Sequence, residues 1–520
     1  MQHWMEVLVM SKIFNRTGSL IPGRSMFNLS YEKKFTCDMG QLIPIMCDEV
    51  VPGDLFKIGN QAVIRFQPLV APVLHEINMF VHYFFVPYRL LWANADPDNW
   101  ETFISGGITG DLTPTIPTWD PTDTAENSLW DYLGFPVGVV PDGALPLDFT
   151  RRAYNFIYNE YYRDESLITA VDLDNETILN RCWEKDYFTS ALTNQQRGTA
   201  PALPISGSSS AVWQAADFNV NVAGVTGAGF SINASDPVNR PTTALGGSQA
   251  VWAANALGMF NSNTVDLSTA TTFDIADLRL AFQIQKWMER NNRAGARYTE
   301  FLRAHFGISP RDDRLQRPEY IGGSRVPIII SEVLQTSSTD VTSPQGNLAG
   351  HGVTVSNSYC GKYHANEFGL IMGIMSVMPK PAYQQGINRQ WLRRTKYDFY
   401  FPEFANLSEQ AIENAEILPL DGDAVHNVDI FGYQGRYDEM RTKQNMVCGE
   451  MRSTYDYWHM GRVFDPLNPP ELNEDFVTCI PRKDIFAVPT EPGLIVSFGN
   501  IIKAFRPLPL SAEPGLIDHN

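Results

Sequence analysis

The run INMFVHYFFV, residues 77–86, restricts what this chain can fold into more than any other segment. Strand alternation puts Ile77, Met79, Val81, Tyr83 and Phe85 on one face. Phe80, Phe84 and Val86 fill the other, so this strand is expected to be covered on both sides. Similar strand-like runs recur far along the chain: RVPIIISEV near 325, FGLIMGIMSVMP near 368, YDFYFPEF near 397 and GLIVSFGNIIKAFRP near 493. Ala62, Ile64 and Phe66 alternate with polar neighbours, and prolines at 44, 52, 68, 72 and 87 punctuate the early strands. Short strands, few helices and very long loops predict a mainly β fold, a β-sandwich or jelly roll with insertions.

Two helices stand out. Tyr154, Tyr158, Tyr161 and Tyr162 recur at helical spacing after Arg151, which gives one aromatic face suited to a core or a subunit interface. Asp274 is a candidate N-cap for a helix over 274–306, in which Lys286, Arg290, Arg293 and Arg297 form a basic stripe suited to an interface. Residues 1–34 read as an arm, with Met1 and Met10 both candidate starts. A first part of the β unit follows over 35–197, and the remainder occupies 274–520.

Between them lies a sharp break in composition. The 76 residues from Gly198 to Phe273 carry four charged side chains and no Lys, Glu, Tyr, His or Cys. A flexible linker rarely contains Trp213, Phe218, Phe230, Trp252 and Phe260. A compact, neutral, β-rich surface insertion is expected, and AVWQAAD at Ala211 is echoed by AVWAANA at Ala250.

Charge and motifs narrow the function. The 520 residues carry 40 Lys plus Arg against 58 Asp plus Glu, a net −18, too acidic to coat nucleic acid unaided. Local basic patches or a separate basic partner would be needed. The arm residues Lys12, Arg16, Arg24, Lys33 and Lys34 are candidates to face nucleic acid. So is INRQWLRRTKY, where Arg389, Arg393, Arg394 and Lys396 alternate with aromatic rings; the plainer alternative is arginines meeting carboxylates at an interface.

No P-loop, dinucleotide, zincin or nucleophile-elbow motif is present, so no catalytic residue, cofactor or metal is assigned. Asp172, Asp174 and Glu176 open like a calcium loop, but the glycine needed at 177 is missing. Six scattered cysteines read as buried thiols, no apolar run is long enough for membrane insertion, and the N-terminus lacks a secretory signal pattern.

Several long segments together carry a resemblance. They include FNLSYEKKFTCDMGQLIPIMCDEVVPGD from Phe27, RAYNFIYNEYYRDE from Arg152 and DYFTSAL from Asp186. RLAFQIQKWMERNNRAGARYTEFLRAHFG from Arg279, SPRDDRLQRPEYIGG from Ser309 and IMSVMPKPAYQQGINRQWLRRTKYDFYFPEF from Ile371 follow in order. The chain resembles the major capsid proteins of microviruses, small phages with circular single-stranded DNA, most closely the gokushovirus branch. That resemblance implies an eight-stranded antiparallel jelly roll and a T=1 shell of sixty copies. The neutral insertion would project around the threefold axes, where a host surface receptor is met. It also implies a small basic DNA-binding protein inside the shell and an internal scaffolding protein during assembly. TNQQRG after DYFTSAL departs from the family pattern at the base of the protrusion. The reading from a different class is a β-sandwich carbohydrate-binding protein or glycoside-processing enzyme.

Overall fold

The computed structural model describes residues 23–95, 97–141, 143–201, 275–295, 297–334 and 348–511. The chain divides into two compact units, Gly198–Glu289 and the remainder.

In the larger unit the longer strands are β1 Ser25–Asn28, β2 Tyr31–Cys37, β3 Ile43–Val50, β4 Leu55–Phe66, β5 Ile77–Pro87, β6 Glu319–Leu334, β7 Leu348–His364 and β8 Gly369–Pro379. A hairpin, β9 Glu409–Glu413 with β10 Ile430–Gly435, precedes the last strand, β11 Leu494–Arg506. The main sheet runs β1-β11-β4-β7-β6-β5-β8-β3, with β2 also paired to β11. Every pairing in it is antiparallel. Because β1 pairs with residues 503–506 of β11 and β2 with 494–500, these two strands share one edge position, which leaves eight positions across the sheet.

The sheet curls until its ends meet. Asn500 on β11 donates its side-chain amide to the Ile45 carbonyl of β3 at 2.9 Å, although these strands stand far apart in the sheet order. Lys33 on β2 closes the same seam by donating to the Pro44 carbonyl at 2.9 Å. This half-barrel is the curled antiparallel sheet of a jelly roll.

Its concave face holds the main core, where Ile45, Phe56, Ile64, Phe85, Val377 and Phe498 pack together. A second core covers the outer face. There Phe84 and Val86 of β5 meet Trp92, Trp119 and Trp130 of the excursion that follows, together with α2. β5 is thus buried on both faces, as its pattern predicts.

The longer helices are α1 Trp100–Ser105, α2 Phe149–Ile157, α3 Ile275–Ala294 and α4 Tyr298–Phe306. A π-turn at Tyr158–Tyr162 extends α2, and Tyr154, Tyr158 and Tyr162 are all buried, so the tyrosine stripe is core. One helix was expected over 274–306, but Gly295 at φ +103° breaks it into α3 and α4. Only glycine takes that backbone conformation without penalty.

The sequence differs from the structure in two further places. The sheet begins inside the segment read as an arm, because β1 and β2 gain hydrogen-bond partners on β11, at the other end of the chain. YDFYFPEF is not a strand but two short 3-10 turns, Lys396–Asp398 and Pro402–Phe404, with Tyr397, Phe399 and Phe401 exposed. Its alternation has no neighbouring strand to pair with among the described residues, and Asp398 caps the first turn through the Thr395 amide and hydroxyl. Four of the cysteines are buried and Cys47 is partly so, whereas Cys448 is exposed.

Candidate functional site

The segment 389–398 is laid over the β9–β10 hairpin by a cluster of ion pairs. Arg389 donates to Glu413 at 3.1 Å and Glu416 at 3.2 Å. Arg394 grips Glu413 with two bonds of 2.8 and 2.6 Å, and Arg393 donates to Glu439 at 3.3 Å. All three carboxylates are buried. Gly386 lets the chain pass this close, since a Cβ there would lie 1.8 Å from the Glu416 carbonyl oxygen. The arginines therefore meet carboxylates of their own chain. Lys396 remains exposed beside the Tyr397 ring, and Trp391 is exposed.

Burial pushes the Glu416 carboxyl up to about 7, against the pull of Arg389. An unfolded glutamate titrates near about 4.3. The folded chain therefore binds the extra proton between these values, and the stability it confers is lost as pH rises through about 7. Stability should climb as pH falls from 7 to 5, with a limiting slope of about 1.4 kcal/mol per pH unit. Urea melts of the unassembled subunit and of Glu416→Gln across this range should diverge; parallel curves would contradict the assignment.

Other basic candidates are scattered. Lys12 and Arg16 lie outside the described residues, as do Trp213, Phe218, Phe230, Trp252 and Phe260. Arg24 is exposed, and Lys34 pairs with Glu32 at 3.2 Å in solvent. Lys33 is drawn inward, donating to the Pro44 and Tyr132 carbonyls, and burial lowers its ammonium to about 8. The stripe on α3 and α4 is equally divided in its roles. Lys286, in the smaller unit, and Arg290 are exposed. Arg293 pairs with Glu409, and Arg297 with Glu165 at 3.0 Å.

The half-barrel carries a tryptophan-rich cover on its outer face and long excursions between its strands. A family model described as Capsid protein (F protein) matches residues 18–516. This chain belongs to the phage F-protein capsid family. As an F-family capsid protein it is similar along nearly its whole length to the capsid protein VP1 of Chlamydia phage 1, at 34% identity over 98% of both chains. VP1 of Bdellovibrio phage phiMH2K is 35% identical over 95% of this chain and 96% of its own. VP1 of Spiroplasma virus 4 is 31% identical over 96% of both. The chain is thus a microvirus-type capsid subunit, a structural component of the virion rather than an enzyme.

Two features of this capsid protein escaped the reading of its sequence. One is a buried network under the excursion. Asp148 accepts from Arg151 at 2.7 and 2.8 Å and from Arg152 at 2.8 Å. Arg151 also reaches Glu176 at 3.2 Å and lies 5.2 Å over Trp119, whose indole N–H donates to Glu176 at 2.8 Å. Asp174 and Glu176, which open like a calcium loop, are taken up by these arginines.

The other feature is a cleft of about 850 Å³ where Arg181 lies 4.4 Å over Phe80. Each carboxylate lining it is already ion-paired: Asp164 with Lys185, Glu184 with Arg325 and Asp312 with Arg317. Burial and the nearby Arg181 hold His82 down to about 4, so its ring is neutral at pH 7.

Proposed function

We infer that sixty copies of this chain close into a T=1 shell around a circular single-stranded DNA genome, and that the insertion 198–273 serves host attachment. The observation that carries the reading is the capsid-family match over 18–516 on a half-barrel whose excursions hold exposed apolar side chains such as Ile104, Ile108 and Phe306. Such groups are satisfied by burial against neighbours, on the scale of about 800 Å² per partner in a standard contact.

A net −18 leaves neutralisation of the genome to a small basic DNA-binding protein, with an internal scaffolding protein acting during assembly. Lys12, Arg16, Arg24, Lys34 and Lys396 are the basic groups we assign to the inner surface. Arg389, Arg393 and Arg394 are committed to Glu413, Glu416 and Glu439 and act first as struts. Three insertions would meet about each threefold axis through Trp213 and Trp252, presenting a polar, nearly uncharged surface to a bacterial receptor.

Deleting 198–273 should leave particles of normal size in negative-stain images. Adsorption to host cells should drop by about 100-fold or more, the scale of avidity that repeated copies confer. Loss of particles, or particles of normal size that adsorb as well as the unaltered ones, would overturn the role given to the insertion.

A further inference from the structure

Residues 91–150 contain ten carboxylates and no Lys, Arg or His. Asp98, Glu101, Asp111, Asp120, Asp123 and Glu126 are exposed there, and none enters an ion pair among the described residues. Beside them Ile104, Ile108, Leu112 and Val139 stand in solvent, with Ile108 fully exposed. An apolar surface studded with unneutralised carboxylates is costly to leave bare, because its charges repel one another and its side chains stay wet.

The same unit carries a surface of opposite character. Residues 290–317, running from the end of α3 through α4, hold seven arginines against three carboxylates in a chain that is strongly acidic overall. Arg290, Arg303 and Arg314 are exposed and enter no ion pair among the described residues. Arg311 lies 3.6 Å from Asp313 with most of its side chain in water. Tyr298, Phe306 and Ile308 provide exposed apolar surface between them, and α4 buries none of its own residues.

On the shell reading above, we propose that the acidic excursion 91–150 of one copy docks onto the arginine face 290–317 of a neighbouring copy. The two faces differ, so the contact is heterologous, and repeated around a rotation axis it closes a ring. Each face supplies what the other lacks: apolar area to bury and charges of opposite sign to set the register. Exposed pairs of this kind weaken with salt, so ring closure should be salt-sensitive. A second copy is the partner that the charges favour, since one chain carries both halves in surplus.

The test reverses each face and then both. D111K/D120K/E126K reverses the acidic face, and R303E/R311E/R314E the basic one. All six side chains are exposed, and circular dichroism melts of the unassembled subunits would verify that each variant folds. With the full chain expressed alongside its phage's other structural proteins, each triple variant should lower particle yield about tenfold or more by sedimentation. The combined six-residue variant should restore it to within about twofold, because the reversed faces again attract.

Normal yield from either triple variant would overturn the pairing. So would loss in both without rescue, which would assign the acidic face to a basic partner protein or the arginine face to nucleic acid. Failure of the unaltered chain to form particles at all would instead remove the shell reading, and this contact with it.

Discussion

Replacing Asp148 by alanine should cost the unassembled subunit about 3–5 kcal/mol of unfolding free energy, the range for breaking a buried ion pair from one side. The Asp148 side chain is almost wholly buried and holds two guanidinium groups, through bonds of 2.7 to 2.8 Å. Without it Arg151 keeps Glu176 at 3.2 Å and Asp174 at 3.4 Å, and Arg152 keeps Asp174 at 3.0 Å. Asp174 is half in water and screens poorly as a substitute.

The loss should not stay local. Arg151 lies over Trp119, and Trp119 packs edge to face on Trp130 at 5.0 Å, so this arginine pins the excursion to α2. Asp148→Asn retains an acceptor but not the charge, and should cost about 1–3 kcal/mol. Urea unfolding would give both values, and limited proteolysis should open 91–150 earlier in the alanine variant. A loss below about 1 kcal/mol would mean that Asp174 and Glu176 hold the arginines unaided.

How much of this was readable in advance depended on sequence distance. β5 and the tyrosine face of α2 were legible because burial on one or both faces leaves a local period, and both proved to be core. YDFYFPEF carries the same period and misled, since alternation reports side-chain exposure and not whether a partner strand exists. The break between α3 and α4 was marked by Gly295, but a lone glycine inside a helical pattern is ambiguous until its φ is known. β1 and β2 looked like an arm because their partners lie on β11, at the far end of the chain.

The basic candidates were the least legible. The fate of Arg393 depends on Glu439 and that of Lys33 on the Pro44 and Tyr132 carbonyls, none of which a run of basic residues announces. Family resemblance supplied what local pattern could not, and the match over 18–516 placed the chain among capsid proteins.

The cluster over the β9–β10 hairpin gives the other large effect. Arg389→Ala should destabilise the subunit by about 3–5 kcal/mol, because Glu413 and Glu416 would then face each other with less cation between them. Arg394 still neutralises Glu413, so the uncompensated group is Glu416, which keeps the Tyr187 hydroxyl at 3.2 Å and the Glu413 amide at 3.0 Å but no cation among the described residues.

Adding Glu416→Gln to Arg389→Ala should therefore recover about 1–3 kcal/mol, an interaction energy that a double-mutant cycle of urea melts would measure directly. Additive losses with no recovery would mean that Arg389 acts through packing alone. The consequence for the shell follows from position. Arg389 fastens the start of the segment that exposes Trp391, Tyr397, Phe399 and Phe401, and a loosened strut should blur the surface those rings form.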